Sequence, residues 1–307
     1  MVYFLMKSKI KNNKPILYFK SLYKKFKSFF LSKISFLVKK IYSLNINLNT
    51  KTKKLESIEK GYIYMAFGEN FYLECINSVK ILKLTTKLPI HLFTDKKNIP
   101  KKDKKLFFSI SHLPNLHLRS KVDYISLSPF NKTIYLDTDI IVVKKIDNLF
   151  NLLDKFDILA TLDTARKREN MSRKIKEYEK IPYAFGEVNS GLLCFNRFAR
   201  EKILKKWPNI FYRYMKESGG WDQPSLRILL WKLNASLYIL PPEFNIRSKK
   251  LLEKVQNNKK ILGDYHMSPR IYHMHLYDDI YKSKIKKLLS KDELIKLAKE
   301  KAYKIIY

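Results

Sequence analysis

The chain has little glycine, little cysteine, few acidic residues and no long apolar run. Seven glycines in 307 residues leave room for neither a glycine-rich linker nor a Walker-type phosphate loop. Two cysteines, Cys75 and Cys194, form no disulfide framework, so a reducing, cytoplasmic setting is expected. No uninterrupted apolar stretch approaches the ~20 residues that span a bilayer. Lysines break each apolar stretch near the start, so it does not read as a signal peptide. Acidic residues number 28 against 62 Lys and Arg, a formal charge of +34. A field of that size draws a protein toward anionic partners. Lys, Asn, Ile, Tyr and Phe share codons rich in A and T, so part of the excess is assigned to genome bias. Against these shortages, 46% of residues are hydrophobic and 14% aromatic, enough for a sizeable core. The length fits one large domain with appendages.

Three segments are expected: a basic amphipathic one over 1–58, a main domain over 59–281, and a basic C-terminal helix over 282–307. The first acidic residue is Glu56, so every earlier lysine stands uncompensated. Phe26, Phe30, Ile34, Leu37, Val38 and Ile41 recur at helical spacing, with lysines filling the other faces. Such a helix suits the surface of an anionic membrane, which would make the protein peripheral there. It equally suits packing on the protein's own domain, since periodicity does not name the partner. A transit peptide would favour Arg, and this segment has none.

The middle of the chain alternates strand and helix patterns. Gly61–Phe67 predicts a strand, Gly68-Glu69-Asn70 a turn, Phe71–Leu84 a helix and Leu88–Asp95 a second strand. This order predicts a parallel pair with a right-handed crossover. A short helix is expected over Lys121–Pro129 and a strand over Phe156–Asp163. Residues 164–182 read as a mobile connection or a lid helix. Extended segments follow at Asn189–Asn196, Ile239–Asn245 and Arg270–His275, with an amphipathic helix running to Tyr214 and another helix opened by Ser218–Pro224.

The run Ile134-Tyr135-Leu136-Asp137-Thr138-Asp139-Ile140-Ile141 carries the most chemistry. Its apolar character breaks only for two carboxylates around one small residue. A buried carboxylate is costly unless it is paired or binds a cation. A strand ending in Asp-Thr-Asp therefore points to a divalent metal holding an anion such as a diphosphate. The plainer alternative is a strand end with turn-forming aspartates.

Four blocks then occur in order: Thr133–Asp139, Asn189–Phe195, Trp221–Leu230 and Leu240–Arg247, followed by the segment around His273. Over roughly residues 60–280 this set resembles the nucleotide-diphospho-sugar glycosyltransferases of the GT-A fold, and glycosyltransferase family eight among them. The resemblance implies an α/β, Rossmann-like, mixed but mainly parallel sheet flanked by helices. It implies an enzyme that transfers a hexose from a UDP-linked donor to a glycan or lipid-linked acceptor with retention, using Mn2+ or Mg2+. Asp137, Asp139 and His273 match the metal ligands. Ala66, Glu69, Lys121, Asp137, Thr138 and Asn189 match positions around the nucleotide, the diphosphate and the donor sugar. Asp222 and Gln223 match the pair beside the reacting carbon.

One departure stands out. The family's histidine is followed by a Gly and a Lys that grip the diphosphate, whereas this chain reads His273-Met274-His275-Leu276-Tyr277. His275 stays open as an alternative ligand, two residues along the same strand face. For Asp222 the alternative is a helix cap, and for Cys194 a small core residue. Two other function classes compete: a basic nucleic-acid-binding or nuclease-like protein, and a non-catalytic sugar-nucleotide binder. The charge favours the first only weakly, because the lysines spread along the chain without a nucleic-acid motif, and no nucleic-acid partner is expected.

Overall fold

The computed structural model describes residues 58–113, 117–163, 167, 172, 174–247 and 269–273. The chain divides into units of residues 1–54 and 55–307, and every described residue lies in the second. The amphipathic segment expected over 1–58 (save Ile58), the C-terminal helix over 282–307 and His275 lie outside the described residues.

Nine strands are described. They are β1 (Ile58–Ala66), β2 (Ile90–Thr94), β3 (Ser109–His112), β4 (Phe130–Leu136), β5 (Ile140–Val142), β6 (Ile158–Leu162), β7 (Val188–Phe195), β8 (Leu237–Ile239) and β9 (Ile271–His273). The described α-helices are α1 (Gly68–Leu82), α2 (Lys101–Lys104), α3 (Ser120–Tyr124), α4 (Leu149–Leu152), α5 (Lys176–Glu179), α6 (Trp207–Tyr214) and α7 (Gln223–Lys232). Seven strands form one sheet in the order β3-β2-β1-β4-β7-β6-β8, and β5 pairs with β9 in a small second sheet. β1 runs parallel to β2 and β4, β2 parallel to β3, and β6 parallel to β8. β7 is antiparallel to both its neighbours, so the sheet is mixed and mainly parallel.

The strands read as near-continuous apolar runs because both faces of the sheet are covered. Side chains alternate along β1: Tyr62 and Tyr64 join one core, Ile63 and Met65 the other. On the first face Ile134, Leu136, Leu192 and Cys194 pack under Cys75, Ile76 and Val79 of α1. On the second, Tyr135, Leu193 and Phe195 pack under Trp207 and Phe211 of α6 and Leu226 and Leu229 of α7. Each such apolar side chain contributes roughly 1.5–3 kcal/mol through burial. Both cysteines are free and buried, and burial pushes their thiols above the ordinary range. Cys194 is thus a small core residue.

Several local expectations change. Gly68-Glu69-Asn70 is the first turn of α1, not a separate turn. β4 ends at the acidic triplet as expected, stopping at Leu136, but Ile140 and Ile141 beyond it form β5, which belongs to the second sheet. The helix expected up to Tyr214 breaks into a π turn at Ala199–Ile203, a 3-10 turn at Leu204–Lys206 and α6. Pro208 sits in the first turn of α6, where its missing N–H costs nothing. The extended stretch 239–245 contains a 3-10 turn at Pro242–Phe244.

Candidate functional site

The carboxyl ends of β4 and β6 open on the same sheet edge as the start of β7, because β7 runs the other way between them. Asp137 N–H donates to Gly191 O at 2.8 Å, and Asp163 N–H to Glu187 O at 2.9 Å. The topology thereby gathers Asp137, Asp163 and Asn189 at the edge where open α/β sheets bind ligands. β9 adds His273 through its pairing with β5, Ile140 standing opposite His273.

Asp137, Asp139 and His273 each offer a ligand atom, and these atoms all lie within 4.8 Å of one another. His273 Nε2 is 3.3 Å from Asp139 Oδ1 and 4.0 Å from Asp137 Oδ2. Ligands of one octahedral ion at 2.0–2.2 Å stand about 3 Å apart when adjacent and about 4 Å when opposite, so the spacing fits a shared cation. His273 Nδ1 donates to Asn245 Oδ1 at 2.8 Å, which leaves the Nε2 lone pair for a metal. Gly191 has no side chain where one would fill the gap: a β-carbon there would lie 2.7 Å from His273 Nε2 and 2.9 Å from Asp137 Oδ2. Two carboxylates and an imidazole suit Mn2+, while Mg2+ prefers oxygen throughout.

Lys121 holds Asp137 from another side. Its buried ammonium lies 2.9 and 2.8 Å from the two carboxylate oxygens and 3.1 Å from Ser190 Oγ. Tyr135, behind the motif, donates its hydroxyl to Asp137 Oδ1. Burial, then the charge of Asp137, keeps that phenol above its ordinary range. Thr138 turns its hydroxyl to the buried carboxylate of Glu74 on α1, tying the acidic turn to that helix.

Asp222 lies just before α7, but its side chain does not cap the helix, so the capping alternative is set aside. The carboxylate instead faces the site. Ser190 Oγ donates to its Oδ2 at 2.6 Å, Lys121 Nζ lies 3.8 Å away, and Arg119 Nη1 is 3.4 Å from its Oδ1. Burial by itself would raise the Asp222 pKa, but Lys121 and Arg119, helped by Ser190, leave it below the ordinary carboxylate value.

Asp163 is a hub. Its Oδ2 accepts from Gln223 Nε2 at 2.6 Å, Asn189 Nδ2 at 3.1 Å and Arg247 Nη1 at 2.9 Å. Gln223 Nε2 also donates to Val188 O, so the amide oxygen is the acceptor end of that side chain. Ala66 and Glu69 occupy the end of β1 and the start of α1. Ala66 is buried, and Glu69 pairs with Lys96.

The structure therefore brings Lys121, Asp137, Asp139, Asn189, Asp222, Gln223 and His273 together. It adds Arg119, Asn245 and Arg247, which carry no isolated signal in the sequence, together with Asp163, Ser190 and Gly191. Asp163 and Gly191 were legible as a strand-end acid and as part of Asn-Ser-Gly.

Comparisons with known proteins bear on the family and the fold. Glucoside xylosyltransferase 1 of Gallus gallus is 28% identical over 138 residues, which cover 39% of this chain and 31% of that protein. The Homo sapiens protein of that name is 29% identical over 139 residues, with the same shares covered. The chain thus matches under a third of the length of these curated relatives. Among solved structures, the galactosyltransferase LgtC in complex with donor and acceptor sugar analogues superposes with a TM-score of 0.51 at 13% identity. That likeness covers 78% of this chain and 95% of LgtC, and it speaks to the fold, which is GT-A. The model of glycosyl transferase family 8 matches residues 4–275, taking in the sheet, the Asp137–Asp139–His273 cluster and α7, and the chain belongs to that family.

Proposed function

We propose that the protein is a metal-dependent glycosyltransferase that moves a hexose from a UDP-sugar to a glycan or lipid-linked acceptor, with retention of configuration. The observation that carries this reading is the convergence of Asp137, Asp139 and His273 beside Lys121 and Asp222. Family membership supports the nucleotide-sugar donor.

When bound, Mn2+ or Mg2+ would act as a Lewis acid for the leaving diphosphate. Asp137, Asp139 and His273 would hold it. Lys121 supplies a further fixed positive charge on the leaving-group side, and preorganised charge of this kind is often the largest catalytic contribution. Asn189 and Asp222 offer hydrogen-bonding groups for the sugar hydroxyls. Gln223 presents its amide oxygen, a weak nucleophile, so the reading favours front-face departure of the diphosphate, with the acceptor hydroxyl entering from the same side. Ala66 and Glu69, at the mouth of β1, are assigned to the base of the nucleotide.

The acceptor at an anionic membrane rests on the sequence of residues 1–58 alone. No helix of the described residues is long and apolar enough to cross a membrane.

The test is a thermal-shift screen of nucleotide sugars with and without Mn2+, followed by NMR of the product anomer. A ligand that binds only the native state must raise apparent stability. Stabilisation by UDP-sugars only in the presence of Mn2+, and a retained anomer, are expected. No shift with any sugar nucleotide, or inversion, would sink the corresponding part of the proposal.

A further inference from the structure

We propose that Arg119 is a positioning residue: it pins the Ser218–Asp222 turn to the start of α3 and so holds Asp222 against the donor sugar. The inference rests on the proposed glycosyl transfer and adds to it a residue outside the acidic and amide set.

Arg119 touches three consecutive residues a hundred positions away in sequence. Its Nε donates to Gly220 O at 3.0 Å, its guanidinium lies 5.0 Å from the Trp221 ring centroid, and its Nη1 faces Asp222 Oδ1. A planar fork with several fixed donors can make these contacts at once, whereas an ammonium cannot. The turn needs such a clasp. Gly219 and Gly220 both have positive φ, +61° and +78°, a backbone with many alternatives open to it. Backbone bonds tie Ser218 and Gly220 to the end of α6, through Tyr214 O and Met215 O. Arg119 ties the other end of the turn across to α3.

Asp222 is 2% exposed. Ser190 and Lys121 serve its Oδ2, and Arg119 faces Oδ1. Without Arg119 that oxygen would be left buried beside a two-glycine hinge, and the carboxylate would turn away from the sugar. Lys121 and the metal ligands act on the diphosphate side. Losing Arg119 should therefore weaken turnover of the intact donor and spare the affinity for UDP.

The experiment compares the full chain with Arg119→Met and Arg119→Lys. Calorimetry measures UDP affinity with Mn2+, and steady-state kinetics measures sugar transfer. The expected result for Arg119→Met is a fall in kcat of about tenfold or more with UDP affinity within about twofold of the parent. Arg119→Lys should recover part of the loss. Parent-like turnover in Arg119→Met, an equal loss of UDP affinity, or full recovery by lysine would each overturn the proposal.

A second readout needs no activity. In a Trp231→Phe background, Trp207 is fully buried, so Trp221 is the quenchable indole. Arg119→Met should raise its quenching by acrylamide, and unchanged quenching counts against the clasp. If the parent itself binds no UDP, the functional proposal fails, and the quenching alone decides the role of Arg119. Should Arg119→Met fail to fold, Arg119→Lys carries both measurements.

Discussion

Gly191 stands 2.7 Å, measured from an added β-carbon, from the Nε2 of His273, and 2.9 Å from Asp137 Oδ2. The glycine lies inside β7 with ordinary strand dihedrals, so alanine there meets a steric objection and no backbone one. Gly191→Ala should push His273 and Asp137 apart and lower Mn2+ affinity by tenfold or more, about 1.4 kcal/mol. The sheet should survive, since overpacking of one methyl costs about 1–3 kcal/mol. Calorimetry with Mn2+ and UDP measures the first effect and thermal unfolding the second. Parent-like Mn2+ affinity would mean that His273 does not serve a metal.

His273 is oriented by Asn245, 28 residues earlier in the chain. Asn245 is buried, and a partner of this kind fixes both the tautomer and the ring of a ligating histidine. Asn245→Ala should cost about 10–100-fold in metal affinity while leaving the three ligands in place. The metal dependence of UDP binding measures this directly. An unchanged dependence would show that the ring is held by packing alone.

How much of this was legible follows from distance along the chain. Asp137-Thr138-Asp139 stood out because two carboxylates interrupt an apolar run, and the parallel sheet stood out because strand and helix patterns alternate along the chain. His273 carried weight only through the family resemblance, since a lone histidine beside a short apolar stretch is commonplace. Arg119 gave no signal, and Asn245 only a place in the Leu240–Arg247 block, with no role. They are ordinary polar residues whose meaning lies in partners brought close by the fold, Gly220 in one case and His273 in the other. The end of the strand at the acidic triplet was legible, but the second sheet beyond it was not. Ile140 and Ile141 continue the apolar pattern of β4, and only pairing with β9 reveals that they belong to another sheet.

Asp163 gathers Asn189, Gln223 and Arg247 on one oxygen, so those residues should respond as a unit. Asp163→Ala removes the shared acceptor and leaves two buried amides short of a partner. A loss of about 2–4 kcal/mol is expected, because breaking a buried charged network costs more than a neutral hydrogen bond. Arg247, with its side chain 31% exposed, can turn to water and contributes less. Urea denaturation of Asp163→Ala, Gln223→Ala and the double variant measures the coupling, which should differ from zero by 0.5 kcal/mol or more for residues in one network. Strict additivity would dissolve the hub.

His91, on β2, gives the pH dependence of stability. It is buried, its Nδ1 pairs with Ser109 Oγ at 2.6 Å, and its Nε2 finds no hydrogen-bond partner among the described residues. Burial lowers its pKa from 6.5 to about 4. Below pH 6.5 the unfolded chain therefore takes up a proton that the folded chain refuses. Stability is full above that pH, falls as pH drops toward about 4, and levels off once the folded form is protonated as well. The loss is on the order of 3 kcal/mol for a shift of this size. His91→Gln keeps a polar group for Ser109 but does not titrate. The difference in unfolding free energy between parent and His91→Gln should grow in favour of the variant from pH 7 to pH 4.5, while the carboxylates common to both cancel. A difference that stays flat across that range would mean that the imidazole is charged, or reaches water, in the folded state.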